Sequence, residues 1–158
     1  MAIEVGQKAP AFTLYNTEKA KVSPADFEGK KNTLLLFFPM AFTGVCTKEL
    51  CSVRDGINRY DNDKTQVLGI SVDSVFTLGK FKEEQQYQFP LLSDFNKEVS
   101  ESYGCIYASF TDMGMKGVSK RSAFIIDKQG IIQYAEVLES AGDLPNFEAI
   151  DAKLASLS

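Results

Sequence analysis

The stretch TLLLFFPMAFTGVCTKELC, residues 33–51, decides the fold. Its first six residues form a continuous apolar run, which is typical of a strand buried on both faces of a sheet. Pro39 ends that run, because proline lacks the N–H that a sheet ladder needs. From Thr43 to about Tyr60, apolar residues recur at three- and four-residue spacing, which predicts an amphipathic helix. A buried strand therefore leads through a short loop into a helix.

Segments on both sides of this stretch continue the alternation of strands and helices. Before it, residues 12–15 and 21–23 predict a β-hairpin, and Ser23-Pro24 predicts a helix start with the serine as its cap. Near the end of the chain, Gly130 closes a turn between two strands, where positive φ is needed. The elements predicted after residue 60 are a strand at 66–72, a helix at 74–87, a strand at 91–92, a helix at 96–103, strands at 122–126 and 131–137, and a helix at 145–157.

This order of elements predicts the fold class. Alternating strands and helices followed by an antiparallel hairpin indicate an α/β protein, with a mixed central sheet flanked by helices on both faces. This is the thioredoxin-like fold, here with an N-terminal β-hairpin extension. The 158 residues contain no internal repeat, low-complexity stretch or linker. We therefore expect a single domain over residues 1–158.

Charge and terminal sequence exclude several classes of protein. Seventeen basic and 21 acidic residues give a formal net charge of −4, and no basic block of the kind that neutralises phosphates is present. The longest apolar run is too short to span a bilayer. The opening residues, MAIEVGQKAP, have no signal-peptide pattern. We expect a cytoplasmic protein that binds neither nucleic acid nor membrane.

Absent residue types narrow the chemistry further. The chain has no histidine, which excludes Ser–His–Asp and Cys–His nucleophiles and any histidine-ligated metal site. The three cysteines, at positions 46, 51 and 105, include no C-x-x-C pair, so zinc spacings and the thioredoxin redox pair are missing. No haem, flavin or metal motif is present, and we expect no cofactor. A cysteine that matters in this chain matters for its reactivity.

Cys46 falls in the first turn or so of the helix predicted from Thr43. Free amide N–H groups and the positive end of the helix dipole stabilise an anion there, and the thiolate is the nucleophilic form of cysteine. The hydroxyl of Thr43 can lie against the sulfur or bind an oxygen of an incoming peroxide. Pro39 supplies a rigid wall without a competing N–H. This arrangement suits displacement at an O–O bond, which leaves the sulfur as Cys–SOH.

The spacing Pro-x-x-x-Thr-x-x-Cys, here Pro39, Thr43 and Cys46, resembles the signature of the peroxiredoxin family. The wording of PMAFTGVC and FPLLSD is most similar to the alkyl hydroperoxide reductase E group, followed by the bacterioferritin comigratory protein group. Further segments occur in the family's order: VGQKAPAFTL, LLLFFPMAFTGVCTKEL, VLGISVDS, SYGC and SAFIIDKQGIIQYAE. The resemblance covers nearly the whole chain.

The resemblance implies a thiol-dependent peroxidase that reduces hydrogen peroxide and organic hydroperoxides. Cys46 would be the peroxidatic cysteine, completed by Pro39 and Thr43. Arg121 stands where the family places an arginine that stabilises the thiolate and polarises the peroxide, and a guanidinium has enough donors to serve both. Glu49, three residues after Cys46, also agrees with the family pattern and would brace Arg121.

Cys51 is the expected resolving cysteine, because the comigratory-protein group often carries one at this spacing. On an intact helix, five residues place the two Cα atoms about 8–9 Å apart, whereas a disulfide needs less than about 7 Å. A Cys46–Cys51 disulfide therefore requires local unwinding of the helix. The alternative is that Cys51 is a core residue and an external thiol reduces Cys46. We expect Cys105 to be structural, with a resolving role as the less favoured alternative.

The expected partners are a thioredoxin or a glutaredoxin-like reductant and a second copy of the chain, as in the family. Two other functions remain open from the residues: a disulfide oxidoreductase, which the missing C-x-x-C disfavours, and a redox sensor that uses Cys46 only as a switch. The aromatic residues are expected to serve as core or subunit contacts rather than as a substrate pocket: Phe37, Phe38, Phe42, Phe76 and Phe110.

Overall fold

A computed structural model describes residues 3–157 of the chain. Met1, Ala2 and Ser158 belong to the domain predicted over residues 1–158 but lie outside the described residues. The strands of the central sheet are β1 (Leu14–Asn16), β2 (Lys21–Val22), β3 (Asn32–Phe37), β4 (Thr65–Ser71), β5 (Leu91–Ser93), β6 (Ser122–Ile126) and β7 (Ile132–Val137). The helices are α1 (Gly44–Asp55), α2 (Val75–Gln85), α3 (Glu98–Ser102) and α4 (Phe147–Ser156).

These strands form one seven-stranded sheet in the order β2-β1-β5-β4-β3-β6-β7. The centre is parallel, since β3 pairs with β4 and β4 with β5 in the same direction. The flanks are antiparallel, where β6 pairs with β3 and β7 with β6. The sheet is therefore mixed, and the β1–β2 hairpin extends it beyond β5. The predicted thioredoxin-like fold with an N-terminal hairpin is confirmed.

The sheet separates two apolar cores, because successive residues of a strand point to opposite faces. Helices cover both faces, as predicted. The first core joins Leu34 and Leu36 of β3 to Leu50 and Val53 of α1, Leu78 and Phe81 of α2, and Ile150 of α4. The second core joins Leu35 and Phe37 of β3 to Val99 of α3, Tyr103 and Phe12.

Two helical predictions need correction. The helix predicted from Thr43 to about Tyr60 ends at Asp55, because Gly56 follows as its cap and residues 57–59 form a separate 3₁₀ turn. The predicted start at Ser23 leads only into a 3₁₀ turn of three residues, although Ser23 and Asp26 do form a reciprocal capping box. No helix among residues 3–157 has the length and apolar character needed to cross a membrane.

The turn between β6 and β7 follows the prediction. Gly130 has a φ of 81°, and its N–H donates to the carbonyl of Asp127 at 3.0 Å. A side chain would be strained in this left-handed conformation, which explains the glycine.

Sheet topology brings distant parts of the chain to one edge. The parallel strands β3 and β4 both end at that edge, and the antiparallel β6 begins there, because Ser122 pairs with Phe37. Arg121, just before β6, therefore emerges beside the loop that connects β3 to α1. The candidate site lies at this junction.

Candidate active site

Cys46 is the third residue of α1, which begins at Gly44, and is almost fully buried. The first helical bond made at this end runs from the N–H of Thr47 to the carbonyl of Thr43, at 2.9 Å. The amides of residues 44–46 precede it and have no acceptor within the helix. Thr43 occupies the cap position without a side-chain cap bond. The positive end of the α1 dipole therefore lies at Cys46.

Arg121 reaches Cys46 across 75 positions of sequence. Its Nη1 donates to Cys46 Sγ at 3.3 Å and to Glu49 Oε1 at 2.6 Å, and its Nη2 donates to the carbonyl of Ala141 at 2.9 Å. These bonds fix the guanidinium plane between α1 and the loop after β7. Arg121 is 1% exposed, so its positive charge acts on the sulfur with little screening by water.

Glu49 is fully buried and lies one turn beyond Cys46 on the same helix. Burial raises the pKa of its carboxyl from 4.5 to about 7, although the charge and hydrogen bond of Arg121 act in the opposite direction. Burial lowers the pKa of Arg121, but Glu49 and Cys46 together raise it by more. The pKa of Arg121 is therefore above its ordinary value. The carboxylate and the sulfur thus share one guanidinium nitrogen, and Glu49 braces that nitrogen at the sulfur.

The loop from Pro39 to Thr43 forms the approach to Cys46. Pro39 is buried directly after β3. Thr43 is exposed, and its hydroxyl donates to the carbonyl of Met40 at 2.8 Å. The role of this hydroxyl at the sulfur or at a peroxide oxygen stays a prediction. In this short loop the carbonyl of Met40 lies within hydrogen-bond distance of the Thr43 hydroxyl. A local hydrogen bond of this kind competes with bonds to more distant groups.

Asp73 anchors the same loop, and sequence reasoning missed it. Its Oδ2 accepts the N–H of Ala41 at 2.8 Å and the hydroxyl of Ser71 at 2.7 Å. Asp73 follows β4, whose end lies beside the end of β3. The only signal in the sequence is a polar residue directly after a buried strand, in the segment VLGISVDS.

Comparisons with known proteins agree with this geometry. Residues 5–135 match the model of the AhpC/TSA family. The chain belongs to that family. Alkyl hydroperoxide reductase E of Mycobacterium tuberculosis (strain ATCC 25618 / H37Rv) is 39% identical over 137 residues, which cover 85% of this chain and 86% of that protein. The predicted peroxiredoxin family is thereby confirmed, and the chain is a thiol-dependent peroxidase.

Solved structures of the same family have the same fold. The crystal structure of peroxidoxin BcpB from Mycobacterium tuberculosis gives a TM-score of 0.85 at 25% identity and covers 99% of both chains. The reduced 2-Cys peroxiredoxin of Plasmodium vivax gives a TM-score of 0.83 at 28% identity, covering 97% of this chain and 81% of that one. The whole fold is therefore shared with these two proteins.

Cys51, the second cysteine of this AhpC/TSA protein, is partly buried within the continuous helix α1. All three cysteines are free thiols. Helical geometry keeps the Cα atoms of Cys46 and Cys51 about 8–9 Å apart, beyond the reach of a disulfide. The resolving role of Cys51 stays a prediction, and it requires the helix to open.

Cys105 lies in the second core, away from these groups. It is fully buried, and burial raises the pKa of its thiol to about 12, more than a hydrogen bond with Ser122 lowers it. A thiol with this pKa stays protonated at neutral pH and is a poor nucleophile. This environment agrees with the predicted structural role.

The predicted aromatic set divides into two groups. Phe37 and Phe38 belong to the core, as expected. Phe42 and Phe76 are 49% and 72% exposed and are not core residues, and Phe110 is partly buried. Phe42 has a φ of 65°, and its half-exposed ring packs at the edge of the first core, with its centroid 5.0 Å from that of Phe81.

Proposed function

We propose that Cys46 is the peroxidatic cysteine and that it reduces hydrogen peroxide and organic hydroperoxides. Its thiolate attacks one oxygen, the O–O bond breaks, and the second oxygen leaves with a proton as water or an alcohol. Cys46 becomes the sulfenic acid Cys–SOH. The single observation that carries the proposal is the Arg121 Nη1 donor, 3.3 Å from Cys46 Sγ at the start of α1.

The neighbouring residues have distinct roles in this proposal. Arg121 stabilises the thiolate and then the negative charge that develops on the leaving oxygen. Glu49 holds the guanidinium in place through its 2.6 Å bond to Nη1. Pro39 forms a rigid wall beside the path of the peroxide to Cys46. Thr43 binds the peroxide only after its hydroxyl leaves the carbonyl of Met40.

Cys51 then resolves the sulfenic acid. Its thiol attacks Cys46–SOH, a Cys46–Cys51 disulfide forms, and water leaves. Opening of α1 between the two residues must come first, because the helix holds them too far apart. This local opening must release the packing of Leu50, which lies between the two cysteines in the first core.

A thiol reductant completes the cycle by reducing the disulfide. Thioredoxin or a glutaredoxin-like protein is the proposed partner, and we propose that the chain works as a homodimer in the cytoplasm, where the reductant pool keeps thiols reduced. Organic substrates are supported by the name of the relative from Mycobacterium tuberculosis, an alkyl hydroperoxide reductase. No residue of the proposed mechanism needs a metal or an organic cofactor.

The central test compares two cysteine variants in a peroxide-consumption assay. Cys46→Ser is expected to lose at least about 10³-fold in rate, because an alcohol is a far weaker nucleophile at neutral pH than a thiolate. Cys105→Ser is the matched control and should keep the parent rate. A Cys46→Ser variant that consumes peroxide at the parent rate would contradict the proposal. Continued turnover with a reducing system also separates an enzyme from a sensor, which reacts once.

The role of Cys51 has its own test. The reduced protein is treated with one equivalent of peroxide, the remaining thiols are alkylated, and peptides are mapped by mass spectrometry. A Cys46–Cys51 disulfide is expected. A stable Cys46 sulfenic acid beside an alkylated Cys51 would show that an external thiol reduces Cys46.

A further inference from the structure

The turn of α1 that carries Cys51 is tied to the chain at the end of α2. Cys51 Sγ lies 3.5 Å from Gln85 Oε1 and 3.6 Å from the hydroxyl of Tyr87. One turn of helix away, Arg54 Nη1 donates to the carbonyl of Gln85 at 2.7 Å. We call these contacts of Gln85 and Tyr87 with α1 the latch. None of them involves Cys46, so the latch is separate from the machinery that attacks peroxide.

Tyr87 makes the most informative contact of the latch. Its hydroxyl donates to the carbonyl of Thr47 at 3.4 Å. In an α-helix, that carbonyl accepts the N–H four residues on, which is the N–H of Cys51. Tyr87 therefore contacts both the backbone group and the side chain that must move when α1 opens around Cys51. A tyrosine hydroxyl and a thiol each have one proton. With the tyrosine proton on the carbonyl of Thr47 and the thiol proton on Gln85 Oε1, the Tyr87 oxygen and Cys51 Sγ lie in contact at 3.6 Å without a proton shared between them.

The ring of Tyr87 is held firmly, which makes the hydroxyl a fixed group. Tyr87 is 4% exposed, and its ring packs against Phe81 and Phe89 with centroid distances of 5.2 and 5.3 Å. A phenylalanine at this position keeps that packing and loses only the hydroxyl. The two functions of the side chain, packing and latching, can therefore be separated by one substitution.

We propose that Tyr87 is a positioning residue that holds α1 wound around Cys51 and so limits the rate of disulfide formation. The proposal rests on the resolving role of Cys51 given above. The step it controls is Cys46–SOH plus Cys51–SH giving the disulfide and water. Before Cys51 can move, the hydroxyl must give up both Thr47 and the thiol.

A consequence follows for the fate of the sulfenic acid. While the latch is closed, Cys46–SOH waits in the wound site, where a second hydroperoxide can oxidise it to the sulfinic acid with release of water or alcohol. Loss of the latch shortens that wait. The Tyr87 hydroxyl therefore sets the ratio of disulfide to sulfinic acid at high peroxide.

The test is Tyr87→Phe, with Tyr60→Phe as the matched control. Tyr60 is also buried, and its hydroxyl donates to Asp151 at 2.7 Å without touching a cysteine. Single-turnover stopped-flow separates the attack on peroxide from disulfide formation. In Tyr87→Phe we expect disulfide formation about fivefold faster, the factor that corresponds to one ordinary hydrogen bond. The attack rate should stay unchanged in both variants, and Tyr60→Phe should form the disulfide at the parent rate.

The sensitivity of Cys46 to overoxidation gives a second, independent measurement of the latch. Mass spectrometry counts Cys46 sulfinic acid after a peroxide titration, and Tyr87→Phe should need several times more peroxide than the parent to reach half overoxidation. Gln85→Met, which removes the other partner of Cys51, should shift both quantities in the same direction. This variant keeps the test decisive if Tyr87→Phe folds poorly.

The possible results are distinguishable. Unchanged or slower disulfide formation in a folded Tyr87→Phe or Gln85→Met protein would overturn the latch. Equal acceleration in Tyr60→Phe would also overturn it, since the effect would then be one of general stability. A parent protein that forms no Cys46–Cys51 disulfide would instead overturn the proposed role of Cys51, before either variant is compared.

Discussion

Cys46 and Cys105 are equally buried, at 1% and 0% exposed, yet their surroundings differ in charge. Cys46 lies at a helix N-terminus with the Arg121 guanidinium 3.3 Å from its sulfur. Cys105 lies in an apolar core beside Tyr103, and burial raises the pKa of its thiol to about 12. Burial away from any cation raises the pKa of a thiol, as at Cys105. Fixed positive charge beside a buried sulfur opposes that effect, and this difference is the basis of the proposed nucleophilic role of Cys46.

Removing that charge should make Cys46 resemble Cys105. Arg121→Gln is expected to lower kcat/KM for hydroperoxide by about 10²–10³-fold, the range for loss of one preorganised donor at a developing anion. The rate of alkylation of Cys46 at neutral pH should fall as well, toward that of Cys105. Stopped-flow peroxide kinetics and timed alkylation with mass mapping measure both.

Arg121→Lys is the matched control for this prediction, because it keeps the charge but not the planar fork. It should fall between the parent and Arg121→Gln. Parent-like kinetics in a folded Arg121→Gln protein would mean that the helix N-terminus alone activates Cys46.

The buried carboxyl of Glu49, one turn from Cys46, predicts a pH dependence of the free energy of unfolding. Burial raises the pKa of Glu49 to about 7, so between pH 4.5 and 7 the folded protein keeps a proton that the unfolded chain releases. The contribution of Glu49 to the free energy of unfolding is therefore largest below pH 4.5 and falls as pH rises, by about 3 kcal/mol in total, levelling off above pH 7.

Glu49→Gln removes this titration and keeps an acceptor for Arg121. Denaturant titration at several pH values gives the free energy of unfolding of the parent and of the variant. The parent value minus the variant value should decrease by about 3 kcal/mol between pH 4.5 and 8. A difference that does not change with pH would show that Glu49 stays ionised in the folded protein.

The smallest effect is expected for substitution of Cys105. Cys105→Ala should leave peroxide kinetics at the parent level and cost about 1 kcal/mol of stability, because a small buried side chain is lost from a packed core. Thermal unfolding and the peroxidase assay measure the two quantities. Loss of activity at unchanged stability would assign Cys105 a chemical role that its surroundings do not support.

Most of the fold could be predicted from local pattern. The apolar run before Pro39 and the helical spacing after Thr43 gave β3 and α1 within a few residues, and the alternation of elements gave the mixed sheet. The errors fell at Gly56, which ended α1 earlier than predicted, and at Ser23, whose helix is a single 3₁₀ turn. Apolar spacing records which face is buried, and it does not record where a helix stops.

The site was only partly predictable. Cys46 was evident from its place at a strand-to-helix junction, and Arg121 and Glu49 came from family resemblance. Asp73 and Tyr87 were missed, because neither lies in a motif of its own and each contacts α1 or its loop from 32 or 40 positions away in the sequence. The bond from the hydroxyl of Thr43 to the carbonyl of Met40 was also not predicted, since it depends on the conformation of the loop.

The sequence by itself determined that a cysteine stands at the start of a helix after a buried strand, because strand burial, helix polarity and proline stops depend on residues only a few positions apart. Tertiary structure alone decided that Arg121 reaches the sulfur, that Cys51 contacts Tyr87, and that burial raises the pKa of Cys105. These contacts join residues 17 to 75 positions apart, and they exist only because sheet register and core packing bring distant segments to the same place.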